Sequence, residues 1–489
     1  MIIMKGITSL LFFSAVCVCF SQQIDAAKKY STYINESDLK KNLTILSSDS
    51  YLGRETGKEG QKMTAEFLSA YFQKLGCSFA PGMSGYEQSF DVIESTPGGT
   101  MSLNDQSFRF KTDFIYYGCK SKTTLDKVPV YSVEQLPKIE EKPCYVIYVM
   151  KGMEVRKEVS VLKKQLPKNV KGIILVSEKY GTLYEYMEHY VTTKTMYLAD
   201  EKKKDEFPIL FVKDSAMLSL KNKSTNYIFG KGKFKETEHP KPLFVLSGQL
   251  NTQEERLTSS NVLAYIEGSD PVLSKEVVVI TAHYDHIGVD HGVVYNGADD
   301  DGTGTVALLE LAEAFMEAKK QGEGPKRSIL IMPVSGEEKG LLGSDYYSSH
   351  PVIPLENTVA DLNIDMIGRN DIGHEKDTNY IYIIGSNMLS DDLHNANERA
   401  NTKYTQLKLD YKFNSLSDPN QFYYRSDHYN FAKHDIPVIF YFSGVHEDYH
   451  QPTDDVEKII FPKVEKVARL VFFVAWEIAD ASKRLTLNR

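Results

Sequence analysis

The residues most able to do chemistry lie between Val277 and Glu310, in the sequence VVVITAHYDHIGVDHGVVYNGADDDGTGTVALLE. An apolar run at 277–280 predicts a strand that is buried on both faces, and this run leads into the sequence His-Tyr-Asp-His. Three successive aspartates at 299–301 then precede Gly-Thr-Gly and a helical pattern. Imidazole and carboxylate groups suit an apolar core poorly, but they are ligands of divalent metals. This stretch therefore predicts a metal site at the end of a buried strand.

The elements that must position these residues alternate between strand and helix patterns from about residue 259 onward. Alternation of this kind predicts an α/β fold, in which helices cover both faces of a mostly parallel, twisted mixed sheet. The predicted strands are 277–281, 329–334, 360–365, 380–384 and 437–442, and the last helix is predicted at 461–485. Ligands in such sheets bind at the carboxyl ends of the strands, so the residues that follow each strand are the site candidates.

Histidine or a carboxylate follows four of these predicted strands. The residues are His283 and Asp285 after the first strand, Glu337 and Glu338 after the second, Asp365 at the end of the third, and Tyr449-His450 beyond the last. Four strand ends that deliver such groups to the same edge of one sheet strongly favour a metal site over a structural role.

The first half of the chain is organised differently. Asp38 is the predicted cap of a first helix, a second helix at 57–75 ends at Gly76, and a hairpin turns at Asn104-Asp105. Residues 125–240 are rich in lysine and contain separate short apolar strands, which predicts a small inserted α/β domain with a lid or interaction role. The main domain would then comprise residues 23–124 and 241–489.

Composition and charge exclude some classes of function. The chain of 489 residues has 57 Lys and Arg against 66 Asp and Glu, a net charge of −9, which argues against nucleic acid as a partner. A local basic patch occurs at Lys202–Lys204. After the N-terminus, no segment reaches the ~18 consecutive apolar residues that a membrane span needs, so we expect no stable membrane span.

The N-terminus has the pattern of a secretory signal peptide at residues 1–22. One lysine precedes an apolar run at 7–20, and small or polar residues follow near Ser21. We therefore expect a secreted or periplasmic protein. A lipoprotein is the less favoured alternative, because Ser14-Ala15-Val16 is a poor lipobox before Cys17. Three cysteines remain after the signal, so at most one intramolecular disulfide is possible.

Taken together and in this order, the motifs HYDH, NGADDDGTG, SGEEKGLLGS, NIDMIG and YHQPTDD resemble those of peptidase family M28, the di-zinc aminopeptidases and carboxypeptidases. The resemblance is strong over about 259–456 and weak over about 39–92. It implies a three-layer zinc-exopeptidase fold, and residues 125–240 resemble the protease-associated domain that is often inserted in such enzymes.

The resemblance also implies roles for individual residues. His283 and Asp365 would bind one zinc ion, Glu338 and His450 would bind a second, and Asp300 would bridge the two. Glu337 would remain free to act as general base and then general acid. Tyr449 would donate a hydrogen bond to the oxyanion, with Tyr423 as a rival for that role.

Other polar residues near the motifs receive supporting roles. Asp285 would orient the His283 imidazole, and Asp301 would follow the bridging carboxylate across a cis peptide bond that is frequent in the family. Asp299 and Asp301 are expected to make hydrogen bonds at the helix start rather than to bind metal, and His286 and His291 are expected to be loop or supporting residues. Substrate contacts are predicted for Arg425 and Tyr424.

The sequence therefore predicts a di-zinc exopeptidase that removes N-terminal residues from peptides with a free N-terminus. A carboxypeptidase or dipeptidase on the same scaffold is the first alternative. A glutaminyl cyclase-like enzyme and a non-catalytic binding protein are further alternatives, which the complete set of five ligands disfavours.

Overall fold

A mixed eight-stranded sheet forms the centre of the molecule. The computed structural model describes residues 25–119, 122–138, 142–150, 155–200, 207–230, 241–251 and 253–488. In spatial order the strands of this sheet are Ser78–Phe79, Ala264–Ile266, Ser328–Val334, Val277–His283, Thr358–Ile364, Val438–Phe442, Tyr380–Ile384 and Lys408–Asp410. The four strands from Ser328–Val334 to Val438–Phe442 are mutually parallel, and antiparallel pairs lie on either side of them.

Helices cover both faces of this sheet, which confirms the predicted α/β fold. Within the strand Val277–His283, Val278 and Ile280 belong to one hydrophobic core, whereas Val277 and Val279 belong to the other. The first core is covered by Ala26–Tyr30, Glu36–Leu46, Glu59–Leu75, Gly304–Lys320, Asp391–Ala400 and Phe461–Asp480, and the second by Leu342–Ser349 and His428–Ala432. Burial on both faces explains why the central strands are continuous apolar runs.

Short helical turns complete the connections between these elements. They are the 3-10 turns Ser31–Tyr33, Asp49–Arg54, Val133–Lys138, Leu273–Lys275, Leu355–Asn357, Ile372–His374, Phe422–Tyr424 and Val456–Lys458, and the π turns Ala298–Thr303 and Asn401–Thr405. The first long helix is capped by Asn35, whose side chain accepts the N–H of Asp38, so the cap lies three residues before the predicted one. Gly76 ends the second helix as predicted, with a φ of 83°.

A second eight-stranded sheet contains the predicted inserted domain and extends beyond it. Its strands, in spatial order, are Gln106–Arg109, Gly99–Leu103, Phe244–Leu250, Thr123–Ser132, Cys144–Val149, Val170–Ser177, Ile209–Lys213 and Phe114–Tyr117. The associated helices are Val155–Gln165, Tyr180–Thr192, Asp214–Leu218 and Lys223–Ile228. Because Phe244–Leu250 pairs with both Gly99–Leu103 and Thr123–Ser132, this unit runs from about 99 to 250 instead of from 125 to 240.

Two smaller sheets complete the strand inventory. One joins Gln253–Val262, Glu87–Thr96 and Thr195–Leu198. In the sequence its first two strands flank the segment that forms the second large sheet, and Thr195–Leu198 lies within that segment. The other is the hairpin Gly288–Asp290 and Val293–Tyr295, directly after the His-Tyr-Asp-His sequence.

Three further predictions concern the N-terminus and the basic patch, the cysteines, and the membrane spans. The predicted signal peptide and Lys202–Lys204 lie outside the described residues. Cys77, Cys119 and Cys144 are buried, and no disulfide joins any two of these three described cysteines. Among the helices that the structure describes, none combines the length and apolar character needed to cross a membrane.

A buried carboxyl group on the helix Gly304–Lys320 makes stability depend on pH. Burial, followed by the charges of Asp38 and Glu313, raises the pKa of Glu310 from 4.5 to about 8. Between pH 4.5 and about 8, the Glu310 carboxyl stays protonated in the folded chain, whereas it loses its proton in the unfolded chain. The free energy of unfolding therefore falls as pH rises through this range. We expect Glu310→Gln to increase the free energy of unfolding by about 1–3 kcal/mol at pH 9 and hardly at all at pH 4.5.

Denaturant unfolding of both proteins at the two pH values measures this effect. Glu317→Gln is the matched control, because it makes the same change on the same helix at a partly exposed carboxylate that pairs with Lys320. An equal gain for both variants, or a gain that does not depend on pH, would contradict the role of Glu310.

Candidate metal centre

Parallel pairing in the central sheet brings the predicted ligands to one edge. His283 is the last residue of its strand, and the strand register places it beside Val334. The loop after Val334 therefore starts next to His283 and carries Glu337 and Glu338. Asp365 directly follows the strand on the other side of His283. The site is thus built from non-consecutive segments that only the sheet topology brings together.

Asp300 lies at the centre of these groups. Its Oδ1 is 3.3 Å from Nε2 of His283, and its Oδ2 is 3.2 Å from Nε2 of His450. His283 Nε2 is also 3.6 Å from Oδ1 of Asp365, and His450 Nε2 is 3.2 Å from Oε2 of Glu338. All five predicted ligands therefore converge, and the two oxygens of Asp300 face the two different histidines, as a bridging carboxylate requires.

The donor atoms fit two cations. Ligand atoms of His283, Asp301 and Asp365 lie within 4.8 Å of one another, and so do ligand atoms of His286, Asp300 and Glu338. Buried carboxylate oxygens at the centre have no hydrogen-bond partner among the described residues; they are Oδ2 of Asp300, Oδ2 of Asp301 and Oε1 of Glu338. Buried polar atoms are normally satisfied. A mixed set of imidazole and carboxylate donors suits zinc, which would satisfy these oxygens.

His286 lies closer to this centre than the sequence predicted. Its side chain is fully buried, and Nδ1 lies 2.9 Å from Oε1 of Glu338 and 3.8 Å from Oδ2 of Asp300. Neither ring nitrogen makes a hydrogen bond to a described residue. The ligand atoms of His286, Asp300 and Glu338 are close enough together to hold one cation. The signal in the sequence was the second histidine of HYDH, but spacing alone does not give its direction after the strand ends.

Replacement of His286 by asparagine is expected to weaken metal binding at the Glu338 side of the site. The loss of an imidazole that faces the donor set should lower the affinity for one zinc ion by about 10- to 100-fold. Competition with a chromogenic chelator measures this affinity without any assay of activity. His291→Asn is the control, since the His291 side chain is almost fully exposed and pairs with Asp290 at the hairpin turn. Unchanged zinc affinity in His286→Asn would exclude His286 as a ligand.

The three neighbouring aspartates have three different environments. Asp299 Oδ1 accepts the N–H of Gly368 at 2.6 Å, and Asp299 Oδ2 lies 3.2 Å from Nε2 of His446. Asp301 Oδ1 accepts the N–H groups of Gly304 and Met366, in line with its predicted helix-start role. Its other oxygen lies in the group with His283 and Asp365, so Asp301 is closer to the metal position than expected. The Asp300–Asp301 peptide bond is cis, as the resemblance implied.

Two residues that the sequence did not single out fix the backbone of this loop. The carboxylate of Asp454 accepts the N–H groups of Asp299 and Asp300 at 3.0–3.1 Å. The guanidinium of Arg54, which is buried, donates to four carbonyl oxygens, those of Leu46, Tyr284, Asn296 and Gly297. Asp454 belongs to the YHQPTDD motif, whereas Arg54 lies in a polar loop whose sequence predicts no contact with the site.

Asp285 supports the site in a different way from the prediction. Nδ1 of His283 donates a hydrogen bond to the backbone carbonyl oxygen of Asp285, at 3.1 Å, whereas the Asp285 carboxylate lies 3.8 Å from that nitrogen. The carboxylate instead accepts the hydroxyl of Thr56 and the N–H of Glu337. Asp285 therefore positions both the imidazole and the backbone of Glu337.

The adjacent glutamates Glu337 and Glu338 have opposite electrostatic environments. Burial raises the pKa of Glu337 well above its usual value, and the carboxylates of Asp365 and Glu338 raise it further against the effect of His283. Burial and Asp300 also raise the pKa of Glu338, but the adjacent imidazoles of His286 and His450 bring it down to about 2. Pairs of acids whose environments separate their pKa values take different roles. The roles of Glu338 as a ligand and of Glu337 as the acid–base group stay predictions, to which this separation of pKa values corresponds.

The two candidate tyrosines occupy different places. Tyr449 lines the pocket together with Asp300 and Glu337, and its ring stacks on His450 with 3.9 Å between centroids. Burial raises the pKa of Tyr449, so its hydroxyl keeps the proton that it would donate. Tyr423 is buried in an aromatic cluster behind the pocket, and Tyr424 packs against its edge. Of the two, Tyr449 has the better position for an oxyanion donor.

This geometry defines a class of protein. Two neighbouring groups of metal-type ligands, with the carboxylate of Glu337 beside them at the edge of an α/β sheet, are typical of metal-dependent hydrolases. Residues 261–475 match the model of peptidase family M28, the family that the sequence motifs resemble.

Similarity to individual proteins covers parts of the chain. A probable leucine aminopeptidase of Trichophyton verrucosum is 31% identical over 219 residues, which is 43% of this chain and 57% of that protein. The chain thus spans less than two thirds of that relative. A probable zinc metalloprotease of Pyrenophora tritici-repentis is 41% identical over 119 residues, 23% of this chain and 22% of that protein.

Among solved structures, an aminopeptidase from Aneurinibacillus sp. strain AM-1 has a similar fold. The TM-score is 0.53 at 15% identity, over 95% of this chain and 98% of that one. At this identity the similarity concerns the fold alone.

Proposed function

We propose that the chain is a metallo-exopeptidase that binds two zinc ions and removes N-terminal residues from peptides. The observation that carries the proposal is the position of Asp300 between two groups of metal-type ligands, with Glu337 free beside them. The donor chemistry supports zinc, and similarity to a probable leucine aminopeptidase supports aminopeptidase activity.

The protein residues would divide the work of peptide hydrolysis among them. Zinc, when bound, lowers the pKa of water and polarises a carbonyl oxygen. Glu337 accepts the proton from the attacking water and delivers it to the leaving amine. Tyr449 donates a hydrogen bond to the carbonyl oxygen as negative charge develops there. Ser426 donates a hydrogen bond to Oδ2 of Asp365 and thereby leaves Oδ1 directed toward His283.

Hydrolysis of aminoacyl anilides by the zinc-loaded protein tests this function. We expect hydrolysis that stops on chelation and returns with zinc, and N-acetylation of the substrate should abolish it. Equal cleavage of N-acetylated and free dipeptides would instead identify a carboxypeptidase. A protein that retains no zinc and hydrolyses none of these substrates would refute the proposal.

The proposed location follows from the N-terminal sequence. We infer that residues 1–22 direct export to the periplasm or the medium, because one lysine precedes an apolar run and a polar cleavage region. Cell fractionation and N-terminal sequencing of the mature protein test this inference. A cytoplasmic protein that keeps its first residues would overturn it.

A further inference from the structure

An arginine lies in the wall of the pocket beside the metal centre. The lining of this pocket includes the carboxylates of Asp300, Glu337 and Asp365 and the aromatic rings of Phe422, Phe440 and Phe442. Arg425 belongs to the same pocket wall. The pocket therefore presents acidic, apolar and cationic surfaces to whatever occupies it.

The guanidinium of Arg425 is available for binding. The residue is exposed, and the structure gives its side chain no hydrogen bond or ion pair to any of the residues that it describes. Other arginines of the main domain do have such partners, as in Arg369 with Asp448 and Arg399 with Glu477. A guanidinium without a protein partner, beside a cavity, has its planar set of donors free for an anion.

The position of Arg425 is fixed from both sides. Its guanidinium carbon lies 4.9 Å from the ring centre of Phe422. The backbone N–H of Arg425 donates a hydrogen bond to the backbone carbonyl of Phe422. The next residue, Ser426, accepts a hydrogen bond from Asn363 and donates one to Asp365. Arg425 is thus tied to the metal centre through its neighbour, and its side chain rests on an aromatic surface that reduces the entropy lost on binding.

We propose that Arg425 is a specificity residue that binds a carboxylate of the substrate by charge-assisted hydrogen bonds. This inference rests on the proposed peptidase function. The carboxylate has two possible sources, namely the side chain of an acidic N-terminal residue or the C-terminal carboxylate of a dipeptide. Either source places an anion close to the scissile bond, within reach of Arg425.

Two pairs of substrates distinguish a side-chain carboxylate from a C-terminal carboxylate as the group that Arg425 binds. Glutamyl and glutaminyl anilides differ only in the side-chain carboxylate, whereas Leu-Gly and Leu-Gly amide differ only in the C-terminal carboxylate. We expect the wild type to prefer the acidic member of one pair by about tenfold or more in kcat/KM, mainly through KM. Arg425→Gln should abolish that preference and change the kcat/KM of leucyl anilide, which has no carboxylate, by less than about twofold.

Control variants distinguish recognition from a general effect of charge. Arg399→Gln removes the same charge from an exposed surface outside the pocket and should leave both preferences intact. Arg425→Lys keeps the charge without the planar fork and should retain part of the preference. Equal losses on all substrates in Arg425→Gln, or no preference in the wild type, would overturn the inference.

Binding measurements test the role of Arg425 independently of whether the protein hydrolyses peptides. If the wild type hydrolyses none of the substrates, the proposed function fails, and calorimetric titration of the zinc-loaded protein with glutamate, glutamine, Leu-Gly and Leu-Gly amide still tests Arg425. Weaker binding of one carboxylate ligand to Arg425→Gln by about tenfold supports the inference. Equal binding of all four ligands to both proteins overturns it.

Discussion

Glu337→Gln is expected to leave zinc binding intact and to lower kcat by about 10²–10⁴-fold, the usual contribution of a general base. Glutamine has nearly the same shape as glutamate, but its amide cannot accept a proton from water. The backbone at this position should stay in place, since the N–H of Glu337 is held by Asp285. Neither group of metal-type ligands includes Glu337, so its loss should not release an ion.

The adjacent glutamate provides a matched control. Glu338→Gln makes the same chemical change one residue further along, but it affects a carboxylate that faces both His286 and His450. We therefore expect Glu338→Gln to lose zinc at one position and to recover activity when zinc is added in excess. Glu337→Gln should not respond to added zinc. Metal analysis and kcat at several zinc concentrations separate the two outcomes, and near-normal kcat in Glu337→Gln would exclude it as the base.

The central sheet and its ligands were predictable because each depends on a local pattern. Apolar runs gave the strands: His283 ends one of them, Asp365 directly follows another, and Glu337 lies three residues after a third. Parallel strands end at the same edge, so sequence order was enough to place these residues together. Spacing did not give the direction of the His286 side chain, because the chain has left the strand there.

The remaining differences come from contacts that are distant in the sequence. Arg54 donates hydrogen bonds to the carbonyls of Asn296 and Gly297, more than 240 residues away, and no local sequence pattern predicts that contact. The second sheet extends beyond the predicted bounds of 125 and 240 for the same reason, since Phe244–Leu250 pairs with a strand that starts at residue 99. Pairing between distant strands is set by tertiary packing, which short windows of sequence do not contain.

Substitution of Asp300 by alanine is expected to have the largest effect on metal content. Asp300 is the shared neighbour of His283 and His450, so its removal takes a ligand from both cation positions at once. After dialysis against a chelator concentration that leaves the wild type loaded, Asp300→Ala should retain neither ion. Its melting temperature should no longer rise on addition of zinc, because ligand binding stabilises only a folded state that binds it.

The neighbouring aspartate tests whether this loss is specific. Asp299→Asn keeps an oxygen that can accept the N–H of Gly368 but removes the charge that faces His446. We expect this variant to lose some stability, to keep both zinc ions and to retain the zinc-dependent rise in melting temperature. Three successive aspartates suggest three equivalent ligands, but their contacts give only Asp300 a position between the two histidines. Retention of both ions by Asp300→Ala would show that the centre is held by two separate ligand sets without a bridge.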